Sequence, residues 1–221
     1  MRDDHAFTFA GHAMVARASG ALHWPSEGLL VVSDLHLGKS DRVARDGGAL
    51  LPPYEVRDTL ARLAADVAET APRAVVSLGD TFDDMAAAAT LAPADRDALT
   101  VLARGREWIW VTGNHDPAPT GLPGTAAEAV TCADVTFRHI AGDGPGPEVS
   151  GHYHPKARMR LRGRAVSRPC FLRDDARMIL PAYGTYTGGL RSEDPALAAL
   201  MAPNARAILA GSPMVEIPMP R

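Results

Sequence analysis

Ala74-Val75-Val76-Ser77-Leu78-Gly79-Asp80-Thr81-Phe82-Asp83 decides the fold: a Val-rich apolar run that ends in an acidic turn. Such a run reads as a buried strand. An unpaired carboxylate inside it would be costly, so Asp80 belongs where the strand stops, and Gly79 lets the backbone turn there. A strand closing in Gly-Asp is by itself an ordinary turn. The same arrangement, however, recurs along the chain.

Leu29-Leu30-Val31-Val32-Ser33 delivers Asp34-Leu35-His36, and Trp108-Ile109-Trp110-Val111 runs into Thr112-Gly113-Asn114-His115-Asp116. Glu148-Val149-Ser150 leads into Gly151-His152-Tyr153-His154. Alternation along an extended backbone points Asp34 and His36 one way, and His152 and His154 likewise. His139 lies near the end of a further stretch, residues 130–140, that reads as one strand. Val56, Leu60, Leu63 and Val67 recur at helical spacing, which predicts an amphipathic helix over 54–70. Helices are also expected over 86–90 and 93–104, a loop or broken helix over 39–45, and a loop over residues 117–128, which are rich in Pro, Gly and Ala. Alternating strands and helices predict an α/β architecture whose polar residues collect at the carboxyl ends of strands.

A chain of 221 residues, 46% hydrophobic and 22% charged, predicts one globular domain over residues 1–221. The net charge of −3 gives no general bias toward polyanions, so charge has to be read locally. Arg158, Arg160, Arg162 and Arg164 alternate with Ala157, Met159, Leu161 and Gly163, which predicts four cations on one face of an edge strand. Lys39 and Arg42 form a second cationic group. Each group reads equally as a solvated surface or as a phosphate contact. Cys132 and Cys170 form no C-x-x-C pair and read as core residues of a protein in a reducing compartment. With no apolar run long enough to cross a bilayer, the expectation is a cytoplasmic protein without a membrane partner.

The strand ends and His139 use five of the eight histidines, which is hard to explain as packing. Imidazole, carboxylate and one amide oxygen, with no thiolate, suit a first-row metal such as Mn, Fe, Co, Ni or Zn. Seven such groups exceed the needs of one ion. Two ions about 3.5–4 Å apart need a shared carboxylate, and together they suit in-line displacement at phosphorus. The inventory predicts hydrolysis of a phosphate ester.

Asp34-x-His36, Gly79-Asp80-x-x-Asp83, Gly113-Asn114-His115-Asp116 and Gly151-His152-x-His154, in this order, resemble the calcineurin-like metallophosphoesterase superfamily. The resemblance implies a two-sheet β-sandwich flanked by helices, in four αββα layers. It implies Asp34, His36, Asp80 and His154 at a first metal, and Asp80, Asn114, His139 and His152 at a second. His139 carries no local motif and enters only through its position between Asn114 and His152. His115 would be the acid at the phosphate, joined in catalysis by Asp80 and Asn114. Asp116 would orient His115, and Asp83 would hold the Asp80 turn or a ligand histidine.

A closer resemblance rests on Ala21-Leu22-His23-Trp24-Pro25, Asp34-Leu35-His36-Leu37-Gly38-Lys39, Leu51-Pro52-Pro53-Tyr54, Gly151-His152-Tyr153-His154-Pro155-Lys156 and residues 181–189. These are similar to the bacterial ligase-associated DNA damage response endonucleases. That family implies a manganese-dependent phosphodiesterase acting on single-stranded DNA, encoded beside an ATP-dependent DNA ligase, a helicase and an exonuclease-like protein. Lys39, Arg42, Arg160 and Arg162 would then contact the strand. A small phosphoester, such as a cyclic nucleotide or a nucleotide conjugate, is the alternative substrate for the same two metals. A non-catalytic scaffold is the third reading, disfavoured because His115 is present. Whether Tyr183 to Gly189 approaches the site or only turns the chain is left open at this level.

Overall fold

Two mixed β-sheets pack face to face in the computed structural model, which describes residues 4–48, 51–115, 121–161 and 163–221. The first holds β1 (His5–Phe9), β2 (His12–Ala16), β3 (Leu22–Trp24), β4 (Leu29–Val32), β5 (Ala74–Leu78), β6 (Glu107–Val111) and β7 (Thr125–Ala127), in that spatial order. β1 to β4 form an antiparallel meander, and β4 to β7 run parallel. Parallel neighbours need crossovers. α1 (Lys39–Arg45) and α2 (Glu55–Thr70) lie between β4 and β5, while α3 (Met85–Thr90) and α4 (Pro93–Ala103) lie between β5 and β6.

The second sheet is built from β8 (Ala129–Cys132), β9 (Val135–Arg138), β10 (Glu148–Ser150), β11 (Lys156–Leu161), β12 (Arg164–Arg173), β13 (Arg177–Ile179), β14 (Arg206–Leu209) and β15 (Val215–Pro218). Its order is β15-β14-β12-β13-β10-β9-β8, with β11 paired to β12. β9, β10 and β13 are mutually parallel.

Alternation along the central strands serves two cores at once. Leu29, Val31, Val76 and Leu78 point between the sheets toward Phe137, Val149, Phe171 and Ile208. Leu30, Val32 and Val75 point outward under Leu60, Leu63 and Val67 of α2 and Leu99 of α4. That double burial is why β4 is uniformly apolar and β5 is apolar except for the buried Ser77. On the far side, Leu197 of α5 (Pro195–Leu200) and Met201 cover Leu172, Ile179 and Leu209. The layers are therefore αββα, as the motifs implied. No helix among the described residues is long and apolar enough to cross a membrane.

Four expectations need correction. The stretch 130–140 is not one strand but the hairpin β8–β9, in which Cys132 pairs with Val135 across a two-residue turn. Ala133 turns there at φ 51°, without the Gly or Asn that marks such a turn in sequence. Residues 39–45 close into α1, and the loop expected over 117–128 contains the edge strand β7. The Arg158 to Arg164 alternation does not make one four-cation face. The chain reverses at Gly163, so Arg164 pairs with Leu161 and lies on the face opposite Arg158 and Arg160. Trp108 and Trp110 are core residues, as is Cys170, whereas Cys132 is half-buried.

Candidate metal centre

All the chemistry-bearing loops emerge where parallel strands end. Asp34 and His36 follow β4, Asp80 follows β5, Asn114 and His115 follow β6, His139 follows β9, and His152 and His154 follow β10. The loops are stitched together by the backbone. Asp34 N–H donates to Gly79 O at 3.2 Å, His36 N–H to Asp80 O at 2.9 Å, and Gly151 N–H to His139 O at 2.9 Å. The shared orientation of paired residues does not come from an extended backbone. Asp34, His36, Asp80, His152 and His154 all have positive φ, between 44° and 69°. Left-handed backbone is costly for side-chain-bearing residues and persists only where the surroundings impose it.

Two donor groups result, Asp34 with His36 and His154, and Asp80 with His139 and His152, each with its atoms within 4.8 Å of one another. In the first, His36 Nε2 faces His154 Nε2 at 3.3 Å, and His154 Nε2 is 3.1 Å from Asp34 Oδ1. In the second, His139 Nε2 lies 2.9 Å from Asn114 Oδ1, 3.2 Å from His152 Nδ1 and 3.4 Å from Asp80 Oδ2. Asp80 Oδ2 also lies 3.9 Å from His36 Nε2, so one carboxylate oxygen faces both groups.

The remaining atoms of these side chains are held from behind. Asp34 Oδ2 accepts from His152 N–H at 3.0 Å and from the Ser33 hydroxyl, while Asp34 Oδ1 is buried without a hydrogen-bond donor. Asp80 Oδ1 accepts from His115 N–H at 2.9 Å. His139 Nδ1–H donates to Leu78 O at 2.7 Å, since a carbonyl only accepts, and this turns the Nε2 lone pair inward. His36 Nδ1 sits 2.9 Å from Asp83 Oδ1, a charge contact rather than a hydrogen bond, and its Nε2 faces inward to His154. Lone pairs so crowded repel unless a proton or a cation lies among them. The residues thus fit divalent metal ions, with oxygen and nitrogen donors from every side and their partners fixing each tautomer.

Electrostatics agree with that reading. Burial pushes the Asp80 carboxyl up, but hydrogen bonding to His139 and to His115 N–H brings it down to about 2. Burial also raises Asp34, and the His154 and His139 contacts outweigh it, leaving its carboxyl below the usual range. Burial lowers His139, yet Asp80 and Asp34 raise it overall. His152, penalised by burial and by neighbouring His139, is lowered.

Asp83 is fully buried and takes Lys39 Nζ at 3.1 Å on Oδ1 and the Arg42 guanidinium on Oδ2. Lys39 and Arg42 therefore reach the centre by way of Asp83. His115 donates Nδ1–H to the Asp83 carbonyl at 2.8 Å, and its ring meets that of His36 edge-on at 5.2 Å. Arg160 is exposed on β11 beside Arg158, and among the described residues it makes no hydrogen bond or ion pair with the centre. Asp116 and Arg162 lie outside the described residues.

Sequence reasoning passed over the supporting atoms. Ser33 donates to Asp34, and Gly151 leaves room for that contact. A Cβ on Gly151 would stand 1.8 Å from Ser33 Oγ and 2.6 Å from Asp34 Oδ2. The only sequence signal was a Ser and a Gly placed next to candidate ligands.

A helix-flanked double sheet with two adjoining sets of metal-suited side chains at its strand ends defines a metal-dependent phosphoesterase. Residues 29–211 match the calcineurin-like phosphoesterase family, and the chain belongs to it. Its structure is similar to that of the nuclease MPE of Pseudomonas putida, at 28% sequence identity and a TM-score of 0.74, over 97% of this chain and 100% of that one. That likeness agrees with the closer resemblance drawn from the motifs. Yfce, a phosphoesterase from E. coli, aligns at 14% identity and a TM-score of 0.44 over 87% of this chain and 99% of that one, too weakly to bear on function. No curated protein matches the chain in sequence.

Proposed function

We propose that this protein is a manganese-dependent phosphodiesterase that cuts single-stranded DNA internally and serves DNA repair, alongside an ATP-dependent ligase, a helicase and an exonuclease-like protein. One observation carries the substrate class: 97% of the chain superposes on a nuclease at 28% identity, with a TM-score of 0.74. Asp34, His36 and His154 would hold one metal, His139, His152 and Asn114 would hold the other, and Asp80 would serve both. Fe, Zn, Co and Ni suit the same donors. Bound there, the two ions supply charge neutralisation at phosphorus and an acidified water.

The chain's own residues do the rest. Asp80 Oδ1, pinned by His115 N–H, keeps Oδ2 between the two groups. As an imidazolium, His115 would keep Nδ1–H on the Asp83 carbonyl and use Nε2–H to stabilise the leaving oxygen and protonate it, returning to the neutral ring. Arg158 and Arg160, exposed on β11, supply positive charge for a backbone beyond the scissile phosphate.

The test is metal-stripped protein incubated with circular single-stranded DNA, with and without manganese, read on a denaturing gel. Circles have no ends, so a linear product requires an internal cut. Manganese-dependent linearisation is expected. Intact circles beside brisk hydrolysis of a small phosphodiester would reassign the substrate to a small molecule.

A further inference from the structure

The geometry points to Tyr54 and Tyr186 as a platform on which a base of the substrate strand stacks beside the metal centre, an inference that rests on the single-stranded DNA reading above. Tyr54 is 52% exposed, one of few large apolar side chains so open among the described residues. Its ring lies 5.6 Å from that of Tyr186, tilted by 57°. A base between two rings needs about 7 Å, two contact distances of about 3.5 Å. There is no such room, so Tyr186 buttresses Tyr54 from behind and the outer face of Tyr54 is the one a base would meet.

The placement of both tyrosines is tied to the ligand loops. Tyr183 N–H donates to Ser33 O at 2.8 Å and Gly184 N–H to Asp34 O at 3.1 Å. Five residues later Gly189 packs so tightly on the other loop that a Cβ would stand 2.0 Å from His154 O. Tyr186 lies midway, two residues from Gly184, hence within about 7 Å of it along the chain. The span between is fixed further: Lys156 Nζ donates to Thr187 O at 3.2 Å, and Thr185 N–H to Thr59 Oγ1 at 3.1 Å. Tyr186 adopts φ 66°, a sparsely populated conformation for a bulky residue. Tyr54 is anchored from its own side. It precedes Glu55, whose carboxylate accepts from Ser40 N–H at 3.1 Å and Ser40 Oγ at 2.6 Å, four residues beyond His36.

An exposed aromatic face beside a phosphodiester centre suits nucleobases, because every base offers a π-face whatever its identity. It also favours unpaired strands, since duplex bases already stack on one another. The platform would therefore contribute strand selection with little sequence preference.

The test is fluorescence anisotropy of labelled oligothymidine, and of an abasic strand of equal length, with manganese-loaded protein in a His115→Ala background that blocks cleavage. Replacing Tyr54 and Tyr186 together by Leu should weaken oligothymidine binding about tenfold or more while leaving the abasic strand unaffected. Phe at both positions should retain both affinities. Metal content and the thermal midpoint check that the variants fold. Tyr54→Leu alone, at a half-exposed position, should show the same selective loss if the pair does not fold. Unchanged oligothymidine binding, or equal loss on both strands, overturns the platform. A parent protein that binds neither strand, and a wild type that cuts neither, would instead refute the nuclease reading and this inference with it.

Discussion

Asp83 Oδ1 lies 2.9 Å from His36 Nδ1, inside a shell where Lys39 and Arg42 neutralise the same buried carboxylate. Burial alone would raise Asp83, but His36, Lys39 and Arg42 hold its carboxyl far below the usual range. An anion so placed fixes the His36 ring with its other nitrogen toward Asp34 and His154. Positioning partners of this kind typically change metal affinity by about 10–100-fold. Asp83→Asn should therefore lower manganese affinity by about that factor, read as metal retained through dialysis at graded free manganese. Undiminished retention would leave Asp83 with a folding role only.

His115→Ala should behave differently. The substitution keeps the N–H that holds Asp80 Oδ1, and the imidazole is not among the converging donors. Metal content should stay at the wild-type level while cleavage falls by about 10²–10⁴-fold. Elemental analysis and single-turnover cleavage of the same preparation measure the two. Loss of metal in parallel with activity would remove His115 from the proton-supplying role.

Away from the centre, Asp66 is fully buried at the junction of α2, the Arg17 strand end and the Tyr183 segment. It accepts from Arg17 Nε at 3.1 Å and from Tyr183 OH at 2.8 Å. Removing one partner of a buried charged network typically costs about 3–5 kcal/mol. For a chain of this size each kcal/mol is worth about 2–4 °C. Asp66→Ala should thus lower the thermal midpoint by roughly 6–20 °C. A midpoint within a degree of wild type would show that Arg17 is satisfied by its remaining partners.

Glu216 links the two sheets at their edge. It meets Arg173 Nη2 at 2.6 Å, His5 Nε2 at 3.2 Å and Arg206 Nε at 3.5 Å. Partial burial raises its carboxyl, and these cations, Arg173 foremost, outweigh that and leave it below its ordinary 4.5. A depressed folded-state value means the carboxylate stabilises the fold above the unfolded-state value, and that stability is lost as pH falls through the folded-state value. Glu216→Gln should be less stable than wild type at pH 7, with the difference closing as pH falls below 4.5 and through the depressed folded-state value. Denaturant melts across that range would show it, and a pH-independent difference would assign the loss to packing instead.

How much of this was legible in the sequence follows from range. The strands β4, β5 and β6 and the helices α2 and α4 were readable because apolar periodicity is a local property that burial on two faces makes strong. The position of Asp80 at a strand end followed from the cost of burying a carboxylate, and the same argument located Asp34, Asn114 and His152. The β8–β9 hairpin was not readable, because Ala133 turns without a turn residue and only its neighbours impose the conformation. Arg164 was assigned to the wrong face because one glycine turn inverts the alternation on which such an assignment depends.

By itself, then, the amino-acid order determined an α/β chain with polar residues gathered at its strand ends, since both follow from hydrophobic period and from where charge is tolerated, while the αββα layering was implied only by the motif resemblance. Which atoms converge was decided by the tertiary structure alone. Left-handed backbone at Asp34, His36, Asp80, His152 and His154 turns the donors inward, and the contacts that impose it join residues as far apart as Asp34 and Gly184. The burial of Asp83 beneath Lys39 and Arg42, and the seating of Gly189 on His154, are likewise consequences of packing between distant segments, which no local pattern encodes.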